Sequence, residues 1–417
     1  MPEVAAGVSP VYVDTPGKIQ PVLEMLASGC RVGIDTEFVK IDTLHPLASL
    51  VQLYDGREVY IIDLVALRGD AAGSFWQALI SSPCLFIFFS MREDLDLIRH
   101  CAGALPRNID DLQIMLSFVG DSSKQGLAAA ADKYLHVEVL KDQTTSIWMS
   151  RPLNQKQIRY AAMDVYHLLR LHDILSALLE ERGNTDCYRQ DLALGVERCH
   201  DEFDPASSYL EHVTPGMGLE ARIRLRALVN FRQETASRKN IPLRRIFPDS
   251  LLPVLATGTF RNTASLEKAG LHWRASREFG REILNILFDR HADPAGISSA
   301  SMNSEMFAVQ FVASYRERLA AFCASRGIED QRAGSKRRQK ELTVWLSCED
   351  RHLLHLPEML STPWRRQILS QVLGEPDLPG REKVAAIPEI RDLLGLPAVP
   401  EAVAAPEEVT APGTGEG

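Results

Sequence analysis

Asp35 and Glu37 stand two residues apart in Arg31-Val32-Gly33-Ile34-Asp35-Thr36-Glu37-Phe38. Val32 and Ile34 alternate as in a half-buried strand. Side chains two apart on a strand share a face, so the two carboxylates lie side by side at a strand end. Like charges that close raise each other's pKa unless a cation shares them, and hard divalent cations take oxygen ligands. Half of a carboxylate metal site is one reading. Two solvated acids at a strand end is the other, and Asp-x-Glu alone does not separate them.

Two further acids join this pair. Asp94 opens the helix that follows the apolar run Cys84–Phe89, where an acid also complements the helix dipole. Asp164 lies in Tyr160-Ala161-Ala162-Met163-Asp164, so on a helix it shares a face with Tyr160. The two alanines keep the surface low enough for close approach. The plain alternative is a surface Tyr–Asp pair, but the apolar Ile158, Val165, Leu168 and Leu169 around it leave a polar pair in want of a partner. Acids from three separate elements plus a helical tyrosine fit two-metal phosphoryl chemistry. Oxygen ligands alone suit Mg²⁺ or Mn²⁺ rather than zinc. Tyr160 is then placed to orient the attacking water.

At this point a family resemblance appears. Asp35-Thr36-Glu37-Phe38, Glu93-Asp94-Leu95 and Tyr160-x-x-x-Asp164 resemble, in order, the motifs of the ribonuclease D family, in the tyrosine subclass of the DEDD 3′–5′ exonucleases. The connecting text is similar too: Leu50-Val51-Gln52-Leu53, Asp111-Leu112-Gln113, and Trp148-Met149-Ser150-Arg151-Pro152-Leu153 leading through Gln157 into the tyrosine helix. The resemblance implies an α/β RNase H-like exonuclease domain with a mixed sheet. It implies two divalent ions on Asp35, Glu37, Asp94 and Asp164, with Tyr160 positioning water. It implies that Phe38 presses on the terminal base or sugar and that Gln52 touches substrate. A core phenylalanine and a polar residue on an exposed strand face account for these two equally well. One place departs from the pattern: family members often carry a histidine five residues before the second-motif aspartate, where this chain has Phe89.

The elements that must position these groups follow from periodicity. Pro10 to Asp14 reads as an edge strand. The Asp35 strand, Ala48 to Tyr54 and Glu58 to Asp63 read as an antiparallel meander, turned at Asp55-Gly56. Cys84 to Phe89 reads as a strand covered on both faces. Helices are expected over Lys18 to Ala27, Phe75 to Ile80, Glu93 to Cys101, Leu112 to Phe118, Gly126 to Tyr134 and, as one long element, Asn154 to Glu181. Beyond about residue 205 strand signals fade, and helices are expected over Leu219 to Thr235, Asp249 to Leu255, Ser265 to Ala269 and Ser276 to Leu287. This gives an exonuclease domain over 1–200, a first helical domain over 210–292, a second over 300–375 and a disordered tail over 376–417, in which Arg381 to Leu394 forms a loose helix. The α/β domain is large enough to own its core.

Residues 215–290 hold 14 Lys+Arg and 7 Asp+Glu, a local excess of +7 that leaves −16 on the rest of a chain of net charge −9. Such asymmetry is the footprint of a phosphate-binding module; arginines paired to glutamates on a solvated helix face are the alternative. Arg224, Arg226, Arg244 and Arg245 are the expected RNA contacts. The region resembles the helicase-and-RNase-D C-terminal (HRDC) domain, and Gly334 to Arg338 with Trp364-Arg365-Arg366 point to a divergent second copy. The seven cysteines are odd in number and scattered, which speaks against a disulfide framework and for a reducing, cytoplasmic setting. No apolar run is long enough to span a membrane. The expectation is thus a monomeric, metal-dependent 3′–5′ exoribonuclease that trims structured RNA such as tRNA precursors and releases 5′-mononucleotides. A 3′–5′ DNA exonuclease and a catalytically silent RNA-binding scaffold remain the alternatives.

Overall fold

The structure is a computed structural model that describes residues 9–138, 147–199, 203–214, 216–289, 297, 305–348 and 350–397. One six-stranded sheet organises the N-terminal half: β1 (Val11–Val13), β2 (Arg31–Val39), β3 (Leu47–Tyr54), β4 (Val59–Asp63), β5 (Leu85–Phe88) and β6 (Asn108–Asp111), in the order β1-β4-β3-β2-β5-β6. The expected meander β2-β3-β4 is antiparallel, while β1, β5 and β6 join in parallel. Around the sheet run α1 (Gln20–Ala27), α2 (Asp70–Ser81), α3 (Arg92–Ala102), α4 (Leu112–Phe118), α5 (Leu127–Leu135), α6 (Gln155–Tyr166), α7 (Leu168–Glu181) and α8 (Thr185–Glu197). Helix α6 crosses β2, β3 and β4; α3 packs on β2 and β3.

The long helix expected from Asn154 to Glu181 is two. It starts where expected, with Asn154 and Gln157 capping each other's backbone at 2.9 and 3.0 Å. It breaks at His167, which caps α7. The break lies on Gly33 of β2: a Cβ there would stand 3.0 Å from the Val165 carbonyl oxygen and 3.2 Å from Leu168 Cβ. The absence of a side chain lets the α6–α7 junction rest directly on the strand that carries Asp35 and Glu37.

Strand β6 and helix α8 are among the elements the sequence reading lacks. Strand β6 contains two aspartates, which propensity disfavours. Its Asp110 is fully buried because Tyr188 Oη donates to it at 2.8 Å, His172 Nε2 lies at 2.8 Å and Arg189 pairs with it. These partners lie on α7 and α8, so the acidic strand end ties both helices to the sheet.

The helical half splits unequally. Helices α9 (Leu219–Lys239), α10 (Leu243–Ile246), α11 (Leu251–Thr257), α12 (Thr263–Lys268) and α13 (Trp273–Phe288) enclose a core of their own, including Leu225, Leu228, Leu252, Leu266 and Ile283. Helices α14 (Met306–Ser325), α15 (Lys336–Ser347), α16 (Glu358–Ser361), α17 (Pro363–Leu373), α18 (Arg381–Ala385) and α19 (Pro388–Leu393) do not. Their buried side chains are continuous with the core of the α/β domain. The expectation that the α/β domain owns its core is therefore corrected: that core extends into the C-terminal module. The loose helix expected over Arg381 to Leu394 is α18 and α19, whose Val384 and Ile390 are fully buried. Part of the segment read as a disordered tail is thus packed, because one fully buried apolar residue in each short helix docks it. The rest of that tail, 398–417, lies outside the described residues.

Candidate active site

Strand β2 presents Gly33, Asp35 and Glu37 to the face covered by α6, and Thr36 to the other. Helix α6 brings Asp164 onto the same spot. One carboxylate oxygen from each of Asp35, Glu37 and Asp164 lies within 4.8 Å of the others. Burial pushes all three acids up, and repulsion adds to it at Asp35 and Glu37: Glu37, beside Asp35, Asp164 and Asp94, rises to about 9. Asp164 rises to about 7 through burial, against the opposing hydrogen bond from Tyr160. Asp35 rises through burial and then the charge of Asp164. Three acids this close do not all ionise without a cation, and an all-oxygen donor set fits a hard divalent one.

Asp94 stands outside this trio. It is nearly sealed from solvent and accepts a 2.5 Å hydrogen bond from Thr36 Oγ1, on the opposite pleat of β2. It still feels the group, since burial and then the Asp35 charge raise its pKa. The expected set of four is therefore three converging acids with the fourth adjacent.

Tyr160, one turn before Asp164, hydrogen-bonds to its carboxylate. Burial and the surrounding acids hold its phenol protonated far above the usual range. The Trp148 ring packs 6.0 Å from it. Trp148 is held in turn: its carbonyl accepts Ser49 Oγ and Arg151 Nη1, each at 2.6 Å. Arg151 forks onto Asp63 of β4 at 2.5 and 2.6 Å, and Tyr12 Oη donates to the same carboxylate. The sequence shows Trp148 to Leu153 only as connecting text. The fold makes it a clamp between the sheet and the tyrosine helix; Arg151 and Asp63 lie 88 residues apart, so nothing in the sequence joins them.

Phe38 follows a register shift between Glu37 and Phe38 and is half-buried. Gln52 pairs in register with Asp35 but is 0% exposed, so the exposed strand face offered as its alternative is wrong. Neither its amide nitrogen nor its oxygen has a hydrogen-bond partner among the described residues. The basic residues also sort themselves. Arg222 and Arg232 are buried, Arg232 bonding the Phe247 carbonyl and Asp249. Arg224 pairs with Glu220 at 2.5 Å, as the solvated-face alternative has it, and Arg226 is half-buried. Arg244 and Arg245 are exposed and form no ion pair among the described residues.

Residues 10–180 match the 3′–5′ exonuclease family model and residues 222–287 the HRDC domain. The chain is 32% identical over 351 residues to ribonuclease D of Haemophilus influenzae, covering 81% of this chain and 85% of that one. The chain belongs to the ribonuclease D family. Ribonuclease D of Serratia proteamaculans is 25% identical, over 87% of this chain and 97% of its own length. In fold, the chain is similar to Escherichia coli RNase D, described as an exoribonuclease involved in structured RNA processing, with a TM-score of 0.78 at 19% identity over 91% and 99% of the two chains. The catalytic core of RRP6 from Trypanosoma brucei shares the fold more distantly, at a TM-score of 0.54 and 20% identity over 69% of this chain and 80% of that one. The chain is thus a 3′–5′ exoribonuclease of this family, and enzymes of the family work with divalent metal ions.

Proposed function

We propose that this family member trims the 3′ ends of structured stable RNA, tRNA precursors above all, and releases 5′-mononucleotides one at a time. The convergence of Asp35, Glu37 and Asp164 under the Tyr160 hydroxyl carries this reading. Asp94 is the fourth carboxylate of the set. A pair of divalent ions held by these acids, Mg²⁺ or Mn²⁺ from the oxygen-only donors, supplies Lewis-acid stabilisation of the charge that builds on the scissile phosphate.

The chain's own groups do the rest. Tyr160, kept protonated, orients the incoming water with its hydroxyl while its other bond fixes it to Asp164. The Trp148–Arg151 clamp limits its freedom. Phe38, at the strand end next to the acids, packs against the terminal nucleoside. Gln52 is sealed beside Asp35, and that burial argues against the expected substrate contact. Arg244 and Arg245, exposed and without an ion pair among the described residues, are the cations offered to RNA phosphates, with Arg224 and Arg226 in lesser roles.

The boundaries 1–200 and 210–292 are read as the cutting and RNA-holding units. The module after residue 300 is read as a divergent second HRDC copy. A monomer in the cytoplasm fits seven free cysteines and a set of described helices none of which is long and apolar enough to cross a membrane. Matched labelled RNA and DNA strands, incubated with Mg²⁺ or Mn²⁺ and then with EDTA, test the reading. Stepwise loss of 3′ nucleotides from RNA, abolished by chelation, supports it; activity confined to DNA contradicts it.

A further inference from the structure

A cavity of about 290 Å³ lies at the seam between the α/β domain and the C-terminal module, near the low end of small-ligand pockets. Its arginines come from both sides: Arg92 at the start of α3, Arg198 just after α8, and Arg332 and Arg338 from the module. Two carboxylates hold most of them. Glu358 meets Arg198 at 2.8 Å and Arg338 at 2.7 Å, and Asp191 meets Arg332 at 3.2 Å and Arg365 at 2.7 Å. Each carboxylate therefore faces two guanidiniums. Asp111, the third acid on the wall, is already taken by the backbone N–H groups of Met91 and Ile114 at 2.6 and 2.8 Å. Just outside, Glu341 feels Arg198 first and then Arg337 and Arg338, and the five arginines Arg92, Arg198, Arg332, Arg338 and Arg365 still outnumber the four acids Asp111, Asp191, Glu341 and Glu358. Arg92 is exposed and forms no ion pair among the described residues. Positive charge in excess of its partners, partly withdrawn from water, calls for an anion.

The floor is apolar and kept open. It is formed by Met91, Ile114 and Leu194, with Gly195 between them in the middle of α8. A Cβ on Gly195 would stand 3.0 Å from Met91 Cε. Glycine inside a helix is disfavoured, and here it keeps room at the base of the cavity. The rim is Ser90, a non-glycine residue held at φ 70°. Guanidiniums above an apolar floor match a phosphate ester carrying a flat organic group.

We propose that this seam cavity binds a nucleotide phosphate, with Arg92 and Arg198 on the phosphate and the Met91–Ile114–Leu194 floor under the nucleoside. The site is distinct from the acid cluster and needs no metal. Two sources share the chemistry: the free mononucleotide that the nuclease reaction releases, and a nucleotide within an RNA chain.

The test uses the full chain with Asp35→Asn and Asp164→Asn, in EDTA, so that metal-dependent binding at the acid cluster is removed. Calorimetry with adenosine 5′-monophosphate is expected to give one saturable site. Arg92→Ala and Arg198→Gln should each weaken it about tenfold, as loss of a charge-assisted bond implies. An unchanged thermal midpoint for Arg92→Ala, which removes no ion pair among the described residues, separates lost binding from lost fold. Displacement of the nucleotide by a short RNA assigns the site to the chain; no displacement assigns it to the free product, and either supports the cavity. No saturable binding, equal binding of inorganic phosphate or sulfate, or binding indifferent to both arginine substitutions would overturn it. Because the readout is binding without catalysis, its failure leaves the exonuclease reading untouched.

Discussion

Arg365 Nη1 and Asp191 Oδ1 meet at 2.7 Å across the seam between α17 and α8, with side chains 1% and 2% exposed. Trp364 Nε1 donates to the same carboxylate at 3.0 Å. A buried charge stripped of its partner is costly, by about 3–5 kcal/mol. Arg365→Ala is therefore expected to lower the unfolding midpoint of the whole α/β domain, not of the C-terminal module alone. A chain cut after residue 205 should fare worse, since it loses Arg332, Arg365 and the shared apolar core together. Calorimetry checks both; an unaltered transition for the 1–205 fragment would show that the seam is dispensable.

The same pair sets a pH dependence. Burial pushes the Asp191 carboxyl up, but Arg365 and Arg332 outweigh it and hold it below its usual range. A depressed folded pKa stabilises above the unfolded value of about 3.9, and the gain is lost as pH falls through the folded value. The stability difference between wild type and Asp191→Asn should thus be constant near neutrality and shrink below about pH 4. Urea unfolding at stepped pH measures it; a difference that persists undiminished to lower pH contradicts the assignment.

Gly33 carries a prediction about catalysis. Gly33→Ala would drive a methyl against the Val165 carbonyl and Leu168, lifting the α6–α7 junction from β2. Tyr160 and Asp164 would shift relative to Asp35 and Glu37. Misplacement of about 1 Å can cost on the order of 100-fold in rate. Turnover is expected to fall by 10- to 100-fold, about that scale, with RNA affinity little changed. A rate equal to wild type in steady-state kinetics would show that the contact is not felt at the site.

The acids of β2 and α6 were legible because strand and helix periodicities each place partners on one face, and motif order restricts how those faces meet. Two things were not. Gly33 carries no chemistry of its own, and only the approach of α6 gives it meaning. Asp94 reads as a full member of the set, yet its hydrogen bond to Thr36 depends on which pleat faces α3. In the helical half, amphipathic patterns marked helices of the first domain but not those of the second, nor which core they share. Apolar residues such as Val384 and Ile390 look alike whether they close their own bundle or another domain's.

Net charge over 215–290 overstated the free cations, because Arg222 and Arg232 are buried and Arg224 and Lys239 are paired. Arg244→Ala with Arg245→Ala should flatten the salt dependence of tRNA-precursor binding by up to about two units of slope, one for each phosphate contact. Arg224→Ala should change it less. Filter binding across a salt series decides this, and an unchanged slope for the double variant would assign the RNA contacts elsewhere.

The central claim is that the acid cluster with Tyr160 is the cutting site. Its most direct test is single-turnover cleavage of a 5′-labelled tRNA precursor in Mg²⁺ or Mn²⁺ by wild type, Asp35→Ala, Asp164→Ala and Tyr160→Phe. Binding of the RNA and thermal midpoints are measured on the same samples. The two aspartate variants should bind RNA, stay folded and fail to cut, because loss of a ligand removes several kcal/mol of charge stabilisation. Tyr160→Phe should cut slowly, with metal binding retained. Wild-type rates in either aspartate variant would contradict the account.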